Sequence, residues 1–153
     1  MTNFVASRYL SGMMDNSWTK RMSVGNRVID SAHKELLGMV NRISYMVRVK
    51  DCPAISEEFK LLEDRLCAYF TVEENIARMA EFSFARHKLA HQNMLDQFQR
   101  ARDKLAAMKG VWPEDEGEKH IFVLRDRLVN HFTEESAQLK VVLDTHYYDL
   151  KPG

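Results

Sequence analysis

Phe84-Ala85-Arg86-His87-Lys88-Leu89-Ala90-His91-Gln92-Asn93-Met94-Leu95-Asp96-Gln97-Phe98 is the stretch on which the reading of the fold turns. Phe84, His87, His91, Met94 and Phe98 recur at intervals of three and four, and Ala101 and Leu105 continue the series. That period belongs to a helix with one buried stripe. Two of the stripe positions are histidines four residues apart, so their rings lie one above the other on the same face. Imidazoles left unpaired among core leucines would cost several kcal/mol each. A bound metal ion removes that cost, because it takes neutral imidazoles and carboxylates as ligands.

Three more helices with the same design flank this one. The first is expected over 28–49, with Ile29, Leu36, Leu37, Val40, Ile43 and Val47 on its stripe and His33 among them. Asp51-Cys52-Pro53 is expected to break it, and Ser56 to cap the next helix. The second helix spaces Phe59, Leu62, Leu66, Tyr69, Glu73 and Ile76 at threes and fours and is expected to end near Glu81-Phe82-Ser83. After the histidine helix, Lys109-Gly110-Val111-Trp112-Pro113 makes the turn. The last helix then runs to about Asp144 with Ile121, Leu124, Leu128, His131, Glu135, Leu139 and Val142 inward. Four amphipathic helices with short connections predict an all-α, antiparallel up-down-up-down four-helix bundle over 28–150, preceded by an irregular N-terminal arm over 1–27.

Every helix places a donor on its inner stripe. Tyr69 lies over Glu73, His87 over His91, and His131 over Glu135, each pair four apart; His33 adds a donor from the first helix. Imidazole nitrogen, carboxylate oxygen and a candidate phenolic oxygen suit iron, manganese or zinc, without the thiolates of a structural zinc site. Glutamates bridge ions, which favours a dinuclear centre. Glu74 and Glu134 are expected to face solvent, and His120 and His146 to lie at the surface or at helix ends.

Composition excludes other classes. The chain has 153 residues, enough for one domain with a real core, and its 22 basic and 22 acidic residues cancel. A balanced charge gives no nucleic-acid footprint. No apolar run approaches the roughly 20 residues that span a bilayer. The N-terminus shows no signal-peptide pattern. Cys52 and Cys67 form no CxxC pair, which fits a reduced, cytoplasmic setting.

Laid end to end, these motifs resemble a bacterial hemerythrin across residues 18–148. The chain has Trp18, then Ser23-Val24-Gly25, then Ile29-Asp30-Ser31-Ala32-His33-Lys34, with Asn41 beyond. Tyr69-Phe70-Thr71-Val72-Glu73-Glu74 stands where the family has His-Phe-x-x-Glu-Glu, and His87-Lys88-Leu89-Ala90-His91 supplies His-x-x-x-His. His131-Phe132-Thr133-Glu134-Glu135-Ser136 matches His-Ile-x-x-x-Asp. The resemblance implies two non-haem irons joined by carboxylates and an oxo or hydroxo bridge, with dioxygen or another small diatomic molecule as ligand. It implies His87, His91 and His131 at one iron, and His33 with Tyr69 at the other.

Two departures qualify that expectation. Tyr69 replaces a family histidine at the iron that receives dioxygen, and Ser136 stands where the family has its bridging Asp; Glu135 is the natural substitute on the stripe. A phenolate is anionic and favours Fe(III). The expected role is an oxygen-binding or oxygen-responsive protein rather than an enzyme. The alternatives are a di-iron enzyme handling peroxide or nitric oxide, and a metal-poor sensory or interaction bundle. Phe4, Tyr9, Leu10, Met13 and Met14 in the arm are expected to pack on the bundle or to meet a protein partner.

Overall fold

Each predicted stripe becomes the inner seam of a helix in the computed structural model, which describes residues 18–79, 85–113, 115–135 and 138–140. The helices are α1 (Arg27–Val49), α2 (Cys52–Met79), α3 (Ala85–Met108) and α4 (Glu116–Asn130). A 3₁₀ turn, Lys20–Met22, precedes α1, and a wider π-type turn, His131–Glu135, continues α4. No strand occurs among the described residues. The chain is an all-α four-helix bundle.

α1 packs on α2 and α4, and α3 closes the ring by packing on the same two. Contacts between neighbours run in opposite senses. Arg42 meets Glu58 and Glu35 meets Arg65 across α1 and α2. Arg102 meets Glu63, and His91 meets Glu73, across α3 and α2. Phe59, Leu62, Phe98, Leu105, Ile121 and Leu128 are buried where the four seams meet. Each such side chain stabilises the fold by about 1.5–3 kcal/mol relative to an exposed one.

The start of α1 is fixed by its own sequence. The Asn26 side chain accepts from the backbone N–H groups of Val28 and Ile29 at 3.0 and 3.1 Å. Asp30, one turn in, accepts from the Ser23 hydroxyl at 2.5 Å and from Val24 N at 2.9 Å. Gly25 makes the bend between them with φ +75°, which a side chain would strain. This clamp sets the register of His33, one turn after Asp30. It also buries Met22 and Val24, so the end of the expected arm belongs to the core. Residues 1–17, with Phe4, Tyr9, Leu10, Met13 and Met14, lie outside the described residues.

Two boundaries differ from expectation. α2 begins at Cys52, with Ser56 a turn inside it. Asp51 Oδ1 accepts from Ala54 N at 3.3 Å and serves as the cap. Pro53 sits in the first helical turn, where its missing N–H would have had no intrahelical partner anyway. Lys50, with φ 58°, reverses the chain in two residues. The ends expected at 81–83 and 144, with Phe84 and Val142, lie outside the described residues. At His131 the last helix widens instead of continuing as α, and the Thr133 hydroxyl donates to the Val129 and Asn130 carbonyls there, at 3.1 and 3.3 Å. Such back-bonding competes with the regular ladder and bends helices.

At the other end of the bundle Trp112 folds over Gly117. A Cβ on Gly117 would meet Val47 Cγ1 at 2.6 Å and Trp112 Nε1 at 2.9 Å, so only glycine lets α4 approach α1 this closely. Among the described residues no helix is long and apolar enough to cross a membrane.

Candidate metal centre

Five of the predicted donors come together in one buried layer. Their helices deliver them from four directions: His33 from α1, Tyr69 and Glu73 from α2, His91 from α3, and His131 from the turn after α4. Glu73 is fully buried and stands at the centre. One of its oxygens, Oε2, lies 2.9 Å from His91 Nε2 and 3.3 Å from His131 Nε2. The other, Oε1, accepts from the Tyr69 hydroxyl, whose oxygen also meets His33 Nε2. A single carboxylate thus faces two donor groups, imidazoles on one side and a phenol backed by an imidazole on the other.

Stacked rings hold the imidazoles. Phe70 lies flat on His91, centroids 3.9 Å apart and planes 9° apart. Phe132 stacks on His33 at 3.8 Å and 18°. Trp18 leans on His33 from outside, its own outer face covered by the Lys34 ammonium 5.4 Å from the ring centroid. These contacts were not anticipated. Their trace in the sequence is a likeness between 69–74 and 131–136: a phenylalanine follows the donor position in each. The phenylalanine after each donor stacks on a histidine from another helix.

Electrostatics follow from burial. Desolvation is the largest influence on His33 and holds its imidazole down to about 4 from an ordinary 6.5. The His131 charge adds to that, while Glu73, Asp30 and a Met22 backbone group oppose it. His33 is therefore neutral near pH 7, as a metal ligand must be. Burial alone would raise the Glu73 carboxyl, but hydrogen bonds from His131 and His91, together with their charges, hold it down to about 2 from 4.5. Glu73 is an anion throughout the physiological range.

Among the described residues, Glu73, His91 and His131 each present a ligand atom within 4.8 Å of the other two. Imidazole nitrogens around a buried carboxylate are the donor set of a transition metal, with the nitrogen and oxygen softness that iron, manganese or zinc accepts. The residues fit such an ion.

The remaining predicted residues divide. His87 is buried one turn from His91, and its Nε2 lies 2.8 Å from Gln138 Oε1. Gln138 was not among the expected site residues. The Glu135 side chain, Ser136 and His146 lie outside the described residues. Glu74, expected in solvent, is partly buried, with Oε1 3.6 Å from His91 Nδ1. His120, expected at the surface, is half-buried on α4, and its Nε2 has no hydrogen-bond partner among the described residues.

Comparison with known proteins bears on this layer. Residues 24–143 match the family described as Hemerythrin HHE cation binding domain. A bacteriohemerythrin of Pseudomonas aeruginosa (strain LESB58) is 28% identical over 121 residues, covering 78% of this chain and 76% of its own. One from Aquifex aeolicus (strain VF5) is 30% identical over 86 residues, 56% of this chain and 66% of its own. No solved structure matches the chain significantly.

Proposed function

The chain belongs to the hemerythrin HHE cation binding domain family, and from that premise we propose that it is a cytoplasmic non-haem di-iron protein that binds or responds to dioxygen or a similar diatomic molecule. Its bundle domain spans 28–150 after an arm over 1–27. The observation that carries this reading is the central carboxylate: Glu73 turns Oε2 to His91 and His131 and Oε1 to Tyr69, with His33 behind the phenol. A bridging ligand needs that division. When bound, the irons supply a reversible change of charge and an open position for the small ligand.

The protein's own groups set the terms of that chemistry. His91 and His131, with His87, would hold one ion, His33 and Tyr69 would hold the other, and Glu73 and Glu135 would supply the carboxylates. As a ligand, His87 would give up its hydrogen bond with Gln138. Phe70, Phe132 and Trp18 exclude water and fix the rings. Tyr69 is the residue that changes the behaviour. Its phenolate adds a negative charge in a low-dielectric layer where screening is weak. As an anionic ligand, with its phenol proton lost to solvent, Tyr69 would favour a ferric over a ferrous ion.

The test is iron content with an absorption spectrum. Wild-type protein is expected to carry iron and, when ferric, to show a broad visible phenolate-to-iron band that Tyr69→Phe abolishes. Tyr69→His is expected to ease reduction. Identical ferric spectra for wild type and Tyr69→Phe would remove tyrosinate from the centre.

A further inference from the structure

We propose that the cleft between α1 and α2 is a binding pocket for a small uncharged molecule, and the path by which it reaches the Tyr69 side of the donor layer; the second half rests on the functional reading above. The cleft has a volume of about 160 Å³ and opens to solvent along the α1–α2 seam. Its walls are apolar: Ile29, Ala32 and Leu36 from α1, Ala68 and Val72 from α2. Tyr69 also lines it, and the hydroxyl of that residue joins His33 and Glu73. Tyr69 therefore belongs both to the lining of the cleft and to the candidate centre.

Chemistry selects the occupant. The charged residues lining the cleft are Glu35 and Arg65. They pair with each other at 3.3 Å, and both are about half exposed, so they belong to the rim and their charges cancel. An anion moving inward would lose its water and find no cation among the wall residues. The cleft is open to solvent, but a water molecule needs two to four polar partners to be held, and the inner wall of Ile29, Leu36 and Val72 offers none from its side chains. A diatomic gas meets both conditions of size and neutrality. The gap depends on alanines, one on each wall, where a larger side chain would fill the space. Ala68 is exposed and helical, so a bulky residue there plugs the mouth without entering the core.

The experiment uses the full chain with methyl-labelled side chains and xenon as the probe. In metal-free protein, raising xenon pressure is expected to shift the Ala32, Ala68 and Val72 methyl resonances saturably and to leave Val111 and Leu89 unmoved. Ala68→Phe, and independently Ala32→Leu from the opposite wall, are expected to abolish the remaining wall shifts. In iron-loaded protein the rate of nitric oxide binding, followed by absorbance, is expected to fall severalfold in Ala68→Phe and to stay at the wild-type value in Leu89→Phe. Absence of wall shifts in wild type, or their survival in both plugged variants, overturns the pocket. Wall shifts that the plugs abolish while the nitric oxide rate is unchanged overturn the path. Wall shifts in a chain that takes up no iron overturn the functional reading and support the pocket.

Discussion

The same four helices build two unlike ends of one core. At one end Val47, Phe59, Leu62, Phe98, Leu105 and Trp112 fill the space with hydrocarbon and aromatic rings. At the other, His33, Tyr69, Glu73, His91 and His131 occupy the equivalent seam positions, all buried. The first end lowers free energy by removing apolar surface from water. The second buries groups that water would solvate well, and their mutual hydrogen bonds recover only part of that loss. Stability is therefore concentrated at the Trp112 end and chemistry at the Glu73 end, and substitutions should separate the two.

The largest expected effect is at the apolar end. Phe98 is fully buried, and Phe98→Ala should cost about 3–5 kcal/mol. Chains that still fold should carry the same iron per molecule. Urea unfolding together with metal analysis checks this. Loss of iron in proportion to stability would mean that the two ends are one unit.

A somewhat smaller effect should appear with pH, and only at the polar end. In the metal-free protein His33 is held at about 4 against 6.5 in the unfolded chain. Above 6.5 both states are neutral and nothing is gained or lost. Between 6.5 and 4 the unfolded chain takes up a proton that the folded one refuses, so stability falls as pH falls, by at most about 3 kcal/mol. Glu73, held at about 2 against 4.5, is shifted in the same direction: its contribution is complete above 4.5 and is lost as pH drops towards 2. The two windows join into one acid-side decline. Urea midpoints measured against pH should show it, and His33→Gln should remove its upper part. A His33→Gln profile equal to wild type would place the decline elsewhere.

The smallest effect tests the turn after α4. Glu135→Ala should weaken metal holding without reducing metal-free stability, while Ser136→Ala should leave both near wild type. Metal titration of the two variants decides between them. The reverse ranking would show that the widened turn brings position 136, not 135, to the centre.

How much of this was legible in the sequence depends on the period being read. The three-and-four spacing of Leu36, Val40, Ile43 and Val47, or of Leu62, Leu66, Tyr69 and Glu73, is set by α-helical geometry alone, so the seams and the donors on them could be read directly. Two kinds of feature could not. Pro53 has opposite meanings inside a helix and in its first turn, and which applies depends on Asp51 capping the helix ahead of it. The π-type turn at His131–Glu135 departs from the α-helical period, and Gln138, which meets His87, was not among the residues read from that period. The stacking of Phe70 and Phe132 on histidines of other helices is a tertiary contact, visible beforehand only as an unexplained repeat.

The claim that organises the polar end is that Glu73 serves both donor groups at once. Glu73→Gln keeps the shape and much of the hydrogen bonding but removes the anion, so iron per folded chain measures the claim directly. Expected is wild-type protein with two irons per chain and a Glu73→Gln variant, folded by circular dichroism, that retains neither. A folded Glu73→Gln protein with the wild-type iron content would contradict it.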